Sequence, residues 1–291
     1  MINQIYHKTE YRYSNSIFLE PHTIRLSPRT DFFMKLKKKS VLKIHPKPTS
    51  ISYNIETDGS VSCLANINKS TDHLIIEHTS VIEHHERNPF LFDIYPSFCQ
   101  KVPFTYPYDM QYILGAYLKI STDSRDLHNF THYLAEQVDF QTIAFLTNTA
   151  EILSKQIQYE YRAEGLPLSP IDTFKSEKGS CRDIAQLFME ICRYMKIATR
   201  YVSGYMTKLP EDEGAESKEE LHPDLHAWVE VYLPGGGWVG VDPTFGVMCS
   251  GYHIPLCSSA NPELTLPVNG TYRGITNSEL ITELKITQLK Q

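Results

Sequence analysis

Over the first 82 residues of the chain, apolar and polar positions alternate with the period of a β-strand. Ile5, His7, Thr9, Tyr11 and Tyr13 share one parity, and Val41-Leu42-Lys43-Ile44 and Leu74-Ile75-Ile76 are short β-type runs. Turn signals such as Asp58-Gly59 separate them, so residues 1–85 are predicted to form a small antiparallel β domain. From 86 to 121 the periodicity disappears. Pro89, Pro96, Pro103 and Pro107 interrupt an aromatic-rich stretch, which is expected to be an irregular connector. Helical spacing then takes over, with helices predicted at 124–137 and 145–158. The clearest helix spans 181–195, where Ile184, Leu187, Phe188, Ile191, Cys192 and Met195 form a single stripe. Ser180 is its expected N-cap, and Asp183 completes a capping-box pattern. Strands are expected at 198–206, 226–233 and 238–242. Residues 122–291 therefore read as an α+β core in which this helix packs on an antiparallel sheet.

Composition narrows the function classes. The net charge of −6 leaves no basic footprint for nucleic acid. No segment approaches the ~20 apolar residues of a membrane-spanning helix, and the opening MINQIYHKTEYRYSNS shows no secretory pattern. The cysteines at 63, 99, 181, 192, 249 and 257 form no C-x-x-C pair. The expectation is a soluble, cytoplasmic protein with reduced thiols and neither nucleic-acid nor membrane partners. Two local charge runs stand out. Six lysines between Lys35 and Lys47, with no acid among them, suit a guarded edge strand. The segment Glu211–Asp224 carries seven carboxylates and one lysine; because it leads straight into the strand at 226 it is expected to border a cleft, the equal alternative being a surface loop without a role.

The chemistry centres on Cys181. It lies off the apolar stripe, at the first turn of the helix, where unpaired amides and the positive dipole end favour a thiolate. His226 opens one predicted strand and Asp242 closes the next, an arrangement that suits a general base with an orienting carboxylate. The two can share a face only if cross-strand partners sum to an even number. An odd-length loop or a bulge is therefore expected in the Pro234–Gly237 turn, with Asp242 opposite or near Trp228. The Cys181 backbone amide is the obvious oxyanion donor, and Tyr161 is the candidate second donor. A metal site built on His222, Asp224 and His226 is disfavoured, because Pro223 opposes the helix that H-x3-H would need. No cofactor or metal is expected.

Gly179-Ser180-Cys181-Arg182-Asp183-Ile184-Ala185 resembles the nucleophile motif of the transglutaminase-like superfamily. Ile197-Ala198-Thr199-Arg200-Tyr201-Val202-Ser203-Gly204-Tyr205 resembles the strand that follows it. His226-Ala227-Trp228-Val229-Glu230-Val231 and Trp238-Val239-Gly240-Val241-Asp242-Pro243-Thr244 resemble the histidine and aspartate motifs. The stretches from His7 to Tyr13 and from Pro21 to Arg29 resemble the β domain preceding the core in bacterial members. The resemblance implies a papain-like core and a cysteine protease or related amide hydrolase acting on a peptide or protein amide. It leaves transglutaminase-type transamidation and an inactive binding scaffold as the alternatives. Two departures are visible: Phe245 follows Thr244 where the family often has asparagine, and Cys257–Asn261 stands where bacterial relatives carry G-R-D-Y. Neither substrate identity nor oligomeric state follows from the sequence.

Overall fold

The structure is a computed structural model that describes residues 1–85, 88–162, 164–207 and 225–289. Five strands open the chain: β1 (Ile2–Ile24), β2 (Met34–His45), β3 (Ser50–Ile55), β4 (Val61–Asn66) and β5 (Lys69–His84). They pair antiparallel in the order β2-β5-β1-β4-β3. β2 stands at one end with all six lysines of the 35–47 run exposed or flanking it, where charge discourages pairing with another chain.

The connector is more regular than its prolines suggest. It holds α1 (Tyr108–Leu114) between two short 3-10 turns, and Pro107 occupies the helix N-cap, where the missing N–H costs nothing. Cys99, Val102, Phe104, Tyr106 and Leu114 pack into the core. The Tyr106 hydroxyl donates to the Tyr232 carbonyl (2.7 Å) and accepts from the Ala198 amide (3.0 Å).

The core follows with α2 (Arg125–Glu136), α3 (Thr142–Gln156), the two-residue β6 (Gln158–Tyr159), α4 (Pro170–Ser176) and β7 (Lys178–Gly179), which pairs with β6. Next come α5 (Cys181–Tyr194), β8 (Thr199–Met206), β9 (Leu225–Leu233), β10 (Gly237–Asp242), β11 (Val247–Met248) and β12 (His253–Ser259). The five strands β8–β12 form an antiparallel sheet ordered β11-β10-β9-β8-β12. The apolar stripe of α5 packs on Ala227, Val229, Val231 and Val241 of this sheet. Burying each such large side chain contributes about 1.5–3 kcal/mol. α4 and β12 are not among the elements predicted from periodicity.

The chain closes with β13 (Val268–Arg273) and β14 (Ser278–Leu289), and both leave the core to pair with β1. Residues assigned to the core on sequence thus complete the first sheet: β1 is flanked by β5 and β4 on one side and by β14 and β13 on the other. At the β8–β12 end of the core sheet, Tyr205, Ile254 and Leu256 join Ile5, Leu19 and Ile76 in one apolar cluster. The two sheets therefore share a core.

Candidate active site

The start of α5 is fixed by its own short-range chemistry. Gly179 has no space for a side chain, since a Cβ there would lie 2.8 Å from Asp183 Cβ. Asp183 Oδ2 accepts hydrogen bonds from the Ser180 amide (2.7 Å) and hydroxyl (2.8 Å). This supplies the reciprocal half of the capping box. Its Oδ1 accepts from Arg162 Nη2 and the Leu168 amide, each at 2.7 Å. Arg182 donates to the carbonyls of Arg162, Glu164 and Gly165. The residues flanking Cys181 thereby fold the segment after β6 against the helix start. They bound a hollow of about 340 Å³ lined by Tyr161, Arg162, Leu168, Gly179 and Ser180. Tyr161 itself is exposed there.

Cys181 is the first residue of α5 and is 8% exposed. His226 lies near the start of β9 with its side chain 10% exposed, so the pair is close to solvent but not bathed in it. The turn between β9 and β10 consists of Pro234, Gly235 and Gly236, an odd-length loop that pairs Gly237 with Leu233 and Val241 with Val229. Continued by one step, this register sets Asp242 across from Trp228, on the same face as His226, as the parity argument requires. The Asp242 Oδ2 to His226 Nε2 distance is 2.6 Å. With Nε2 turned to Asp242, Nδ1 is the ring atom left for Cys181, which is near enough to help raise the imidazole.

Charge follows from this geometry. Burial opposes a charge on His226, but the Asp242 carboxylate, its hydrogen bond to the ring and the nearby Cys181 outweigh it and push the imidazole up to about 10. Burial likewise opposes the Asp242 carboxylate. His226, with hydrogen bonds from His226 and His253, holds it well below the usual carboxylate range. Burial pushes the Cys63 thiol up to about 11 and Cys257 up to about 12, and raises Cys99 and Cys192.

One residue of the site has no signal in the sequence. His253, the first residue of β12, places Nε2 3.0 Å from the same Asp242 oxygen. A lone histidine in an unpredicted strand has no motif partner, so only the strand order brings it to Asp242. His226, Asp242 and His253 bring donor atoms within 4.8 Å of one another, a spacing that could hold a cation. Both Nε2 atoms already converge on one carboxylate oxygen, and a cation would have to break both hydrogen bonds. His222, Asp224 and the acidic segment 211–224 lie outside the described residues.

Comparisons with known proteins agree with this architecture. Residues 130–243 match the transglutaminase-like superfamily profile, and residues 3–83 match the bacterial transglutaminase-like N-terminal region. An uncharacterized protein of Mycobacterium leprae is 23% identical over 289 residues, covering 98% of each chain. An uncharacterized protein of Mycobacterium tuberculosis is 24% identical over 252 residues, covering 83% of this chain and 78% of its own. The crystal structure of a candidate cysteine protease from Cytophaga hutchinsonii superposes with a TM-score of 0.69 at 18% identity, covering 100% of this chain and 92% of that one. At that identity the likeness is one of fold. With the core profile on residues 130–243 and the N-terminal profile on residues 3–83, the chain belongs to the transglutaminase-like superfamily, in the form that carries a bacterial-type N-terminal region.

Proposed function

We propose that the protein hydrolyses a peptide or other amide bond through a thioester on Cys181. The observation that carries this reading is the linked trio. A cysteine at a helix start lies close enough to an imidazole to influence its charge, and that imidazole is held 2.6 Å from a buried carboxylate. His226 keeps the proton that Cys181 gives up, because Asp242 raises its affinity for it. The thiolate attacks the amide carbon and a C–S bond forms. The C–N bond then breaks as His226 protonates the departing amine. The Cys181 backbone amide, at the helix start, is placed to donate to the oxyanion. Water, deprotonated by His226, then releases the carboxylic acid and restores the thiol. Asp242 keeps the ring in the tautomer and orientation that both steps need.

Water is favoured over an amine as the acceptor because the hollow lined by Gly179 and Ser180, the residues preceding Cys181, carries polar groups, including Arg162, Lys178 and Glu160. A transamidating site would need to exclude water and hold an amine. The test offers amide- and glutamine-containing peptides with millimolar amine and measures free acid against amine adduct, with Cys181→Ala as the control. Free acid from the wild type alone is expected. Adduct dominating would establish transamidation instead. Neither product from a broad peptide library would leave an inactive scaffold.

A further inference from the structure

We infer that His253 is a positioning residue of this site, holding the Asp242 carboxylate in the orientation that His226 requires. The inference rests on the reading of Cys181, His226 and Asp242 given above. Asp242 is buried completely, and its two oxygens are held from different directions. Oδ1 accepts from the Thr244 amide (2.9 Å) and more weakly from the Phe245 amide (3.4 Å), both in the turn that follows β10. Oδ2 faces the two rings. An ionised carboxylate can only accept, so both histidines present Nε2–H to it. Without His253, the turn would anchor one oxygen while the oxygen that meets His226 had no second tether.

The approach of His253 to Asp242 is built into the sheet. β12 lies at the end of the strand order and is separated from β10 by β8 and β9. Its ring reaches back because the intervening position on β8 is Gly204, which pairs with His226 on one side and Pro255 on the other. A Cβ on Gly204 would lie 2.4 Å from the Trp228 ring and 2.3 Å from the Ile254 carbonyl. The Trp228 indole therefore lies over the glycine and meets the His253 ring edge-on, with centroids 5.2 Å apart. His253 Nδ1 is buried with no hydrogen-bond partner. Beyond its contact with Trp228, the ring satisfies one nitrogen, and it does so on Asp242; an apolar ring would fill the same space without burying an unpaired nitrogen. The titratable groups in contact with His253 include Asp242 from β10 and His226 from β9.

The test compares His253→Phe, which keeps a ring against Trp228 but loses the donor, with His253→Gln, which keeps an N–H of similar reach. Two readouts are taken: the titration of His226 by NMR of 15N-labelled histidine, and the Cys181 alkylation rate at pH 7. His253→Phe is expected to lower the His226 midpoint by at least about half a pH unit and to slow alkylation roughly tenfold. His253→Gln should stay within about threefold of the wild type, with both variants melting at similar temperatures. An unchanged or raised His226 midpoint in His253→Phe overturns the proposal. Equal losses in both variants that track their melting temperatures also overturn it, by reducing His253 to packing. Neither readout needs a substrate. A His226 shift without any amide turnover would therefore refute the proposed function and leave the role of His253 standing, and turnover without the shift would do the reverse.

Discussion

Asp242 governs the site through its charge, and that charge sets a pH signature. The folded-state pKa of His226 is raised to about 10 from an ordinary value near 6.5. Its favourable interaction with Asp242 is therefore fully present below about pH 6.5 and is lost as pH rises through about 10. Asp242→Asn removes the charge while keeping the shape. It should bring the His226 midpoint down to about 6.5 or below, because burial then opposes the charge without the carboxylate, and reduce turnover by a factor on the order of 10²–10⁴, as expected when a base loses its orienting carboxylate. A variant that titrates and turns over like the wild type would remove Asp242 from the site. At this scale the helix start at Cys181 and the meeting of His226 with Asp242 were legible, because a helix stripe, a hairpin and strand parity are local properties of the chain. His253 was not, because its meeting with Asp242 depends on β12 pairing with β8, and no local pattern encodes that choice of neighbour.

Among the elements, α5 and the β9–β10 hairpin were the most readable. Both have strong short-range signals: an unbroken apolar stripe in one, and alternation around a proline-glycine turn in the other. The connector was misread because Pro107 precedes α1 instead of interrupting it. The close approach at Gly204 belongs to the element scale as well. A methyl group there would meet backbone and a buried indole, neither of which can swing aside. Gly204→Ala should therefore cost at least about 2 kcal/mol of stability, measured by denaturant unfolding. It should also depress Cys181 reactivity, because it displaces the rings on either side. A neutral result would mean that β8 and β12 pack more loosely than described. The cap behaves differently. Asp183→Ala removes the acceptor for Ser180, Arg162 and Leu168 together, so its cost should exceed the ~1 kcal/mol typical of a single lost helix cap.

Across the whole molecule the two sheets are joined by buried polar groups as well as apolar ones, so neither should fold alone. Arg29 from the first domain donates to Glu230 (2.5 Å) and Ser258 (2.8 Å), and Arg200 donates to the same Glu230 (2.6 Å). Asp58 accepts from the Ser258 amide. Arg29→Ala would leave Glu230 buried with a single cation, and a loss of about 3 kcal/mol is expected; a change below about 1 kcal/mol would show that the interface does not depend on this network. The sequence could not show this union, since β13 and β14 lie almost a chain length away from their partner β1. The same interface carries an acid sensitivity. Burial, with the nearby His78, pushes His7 down to about 4, and burial does the same to His78. The unfolded chain therefore takes up protons below about pH 6.5 that the folded one refuses, and stability falls as pH drops towards 4. A shift of this size is on the order of 3 kcal/mol per histidine, so the melting temperature should fall clearly between pH 6.5 and 5; a flat profile would contradict it. The central claim is that Cys181 is the activated thiol, and it is tested most directly by mapping iodoacetamide alkylation over all six cysteines of the intact protein at neutral pH. Cys249 is more exposed than Cys181, while the other four are buried. If exposure alone governed reactivity, Cys249 would be labelled first. The account predicts that Cys181 is labelled far faster than Cys249 and that His226→Ala abolishes the difference; labelling of Cys249 ahead of Cys181 in the wild type would contradict it.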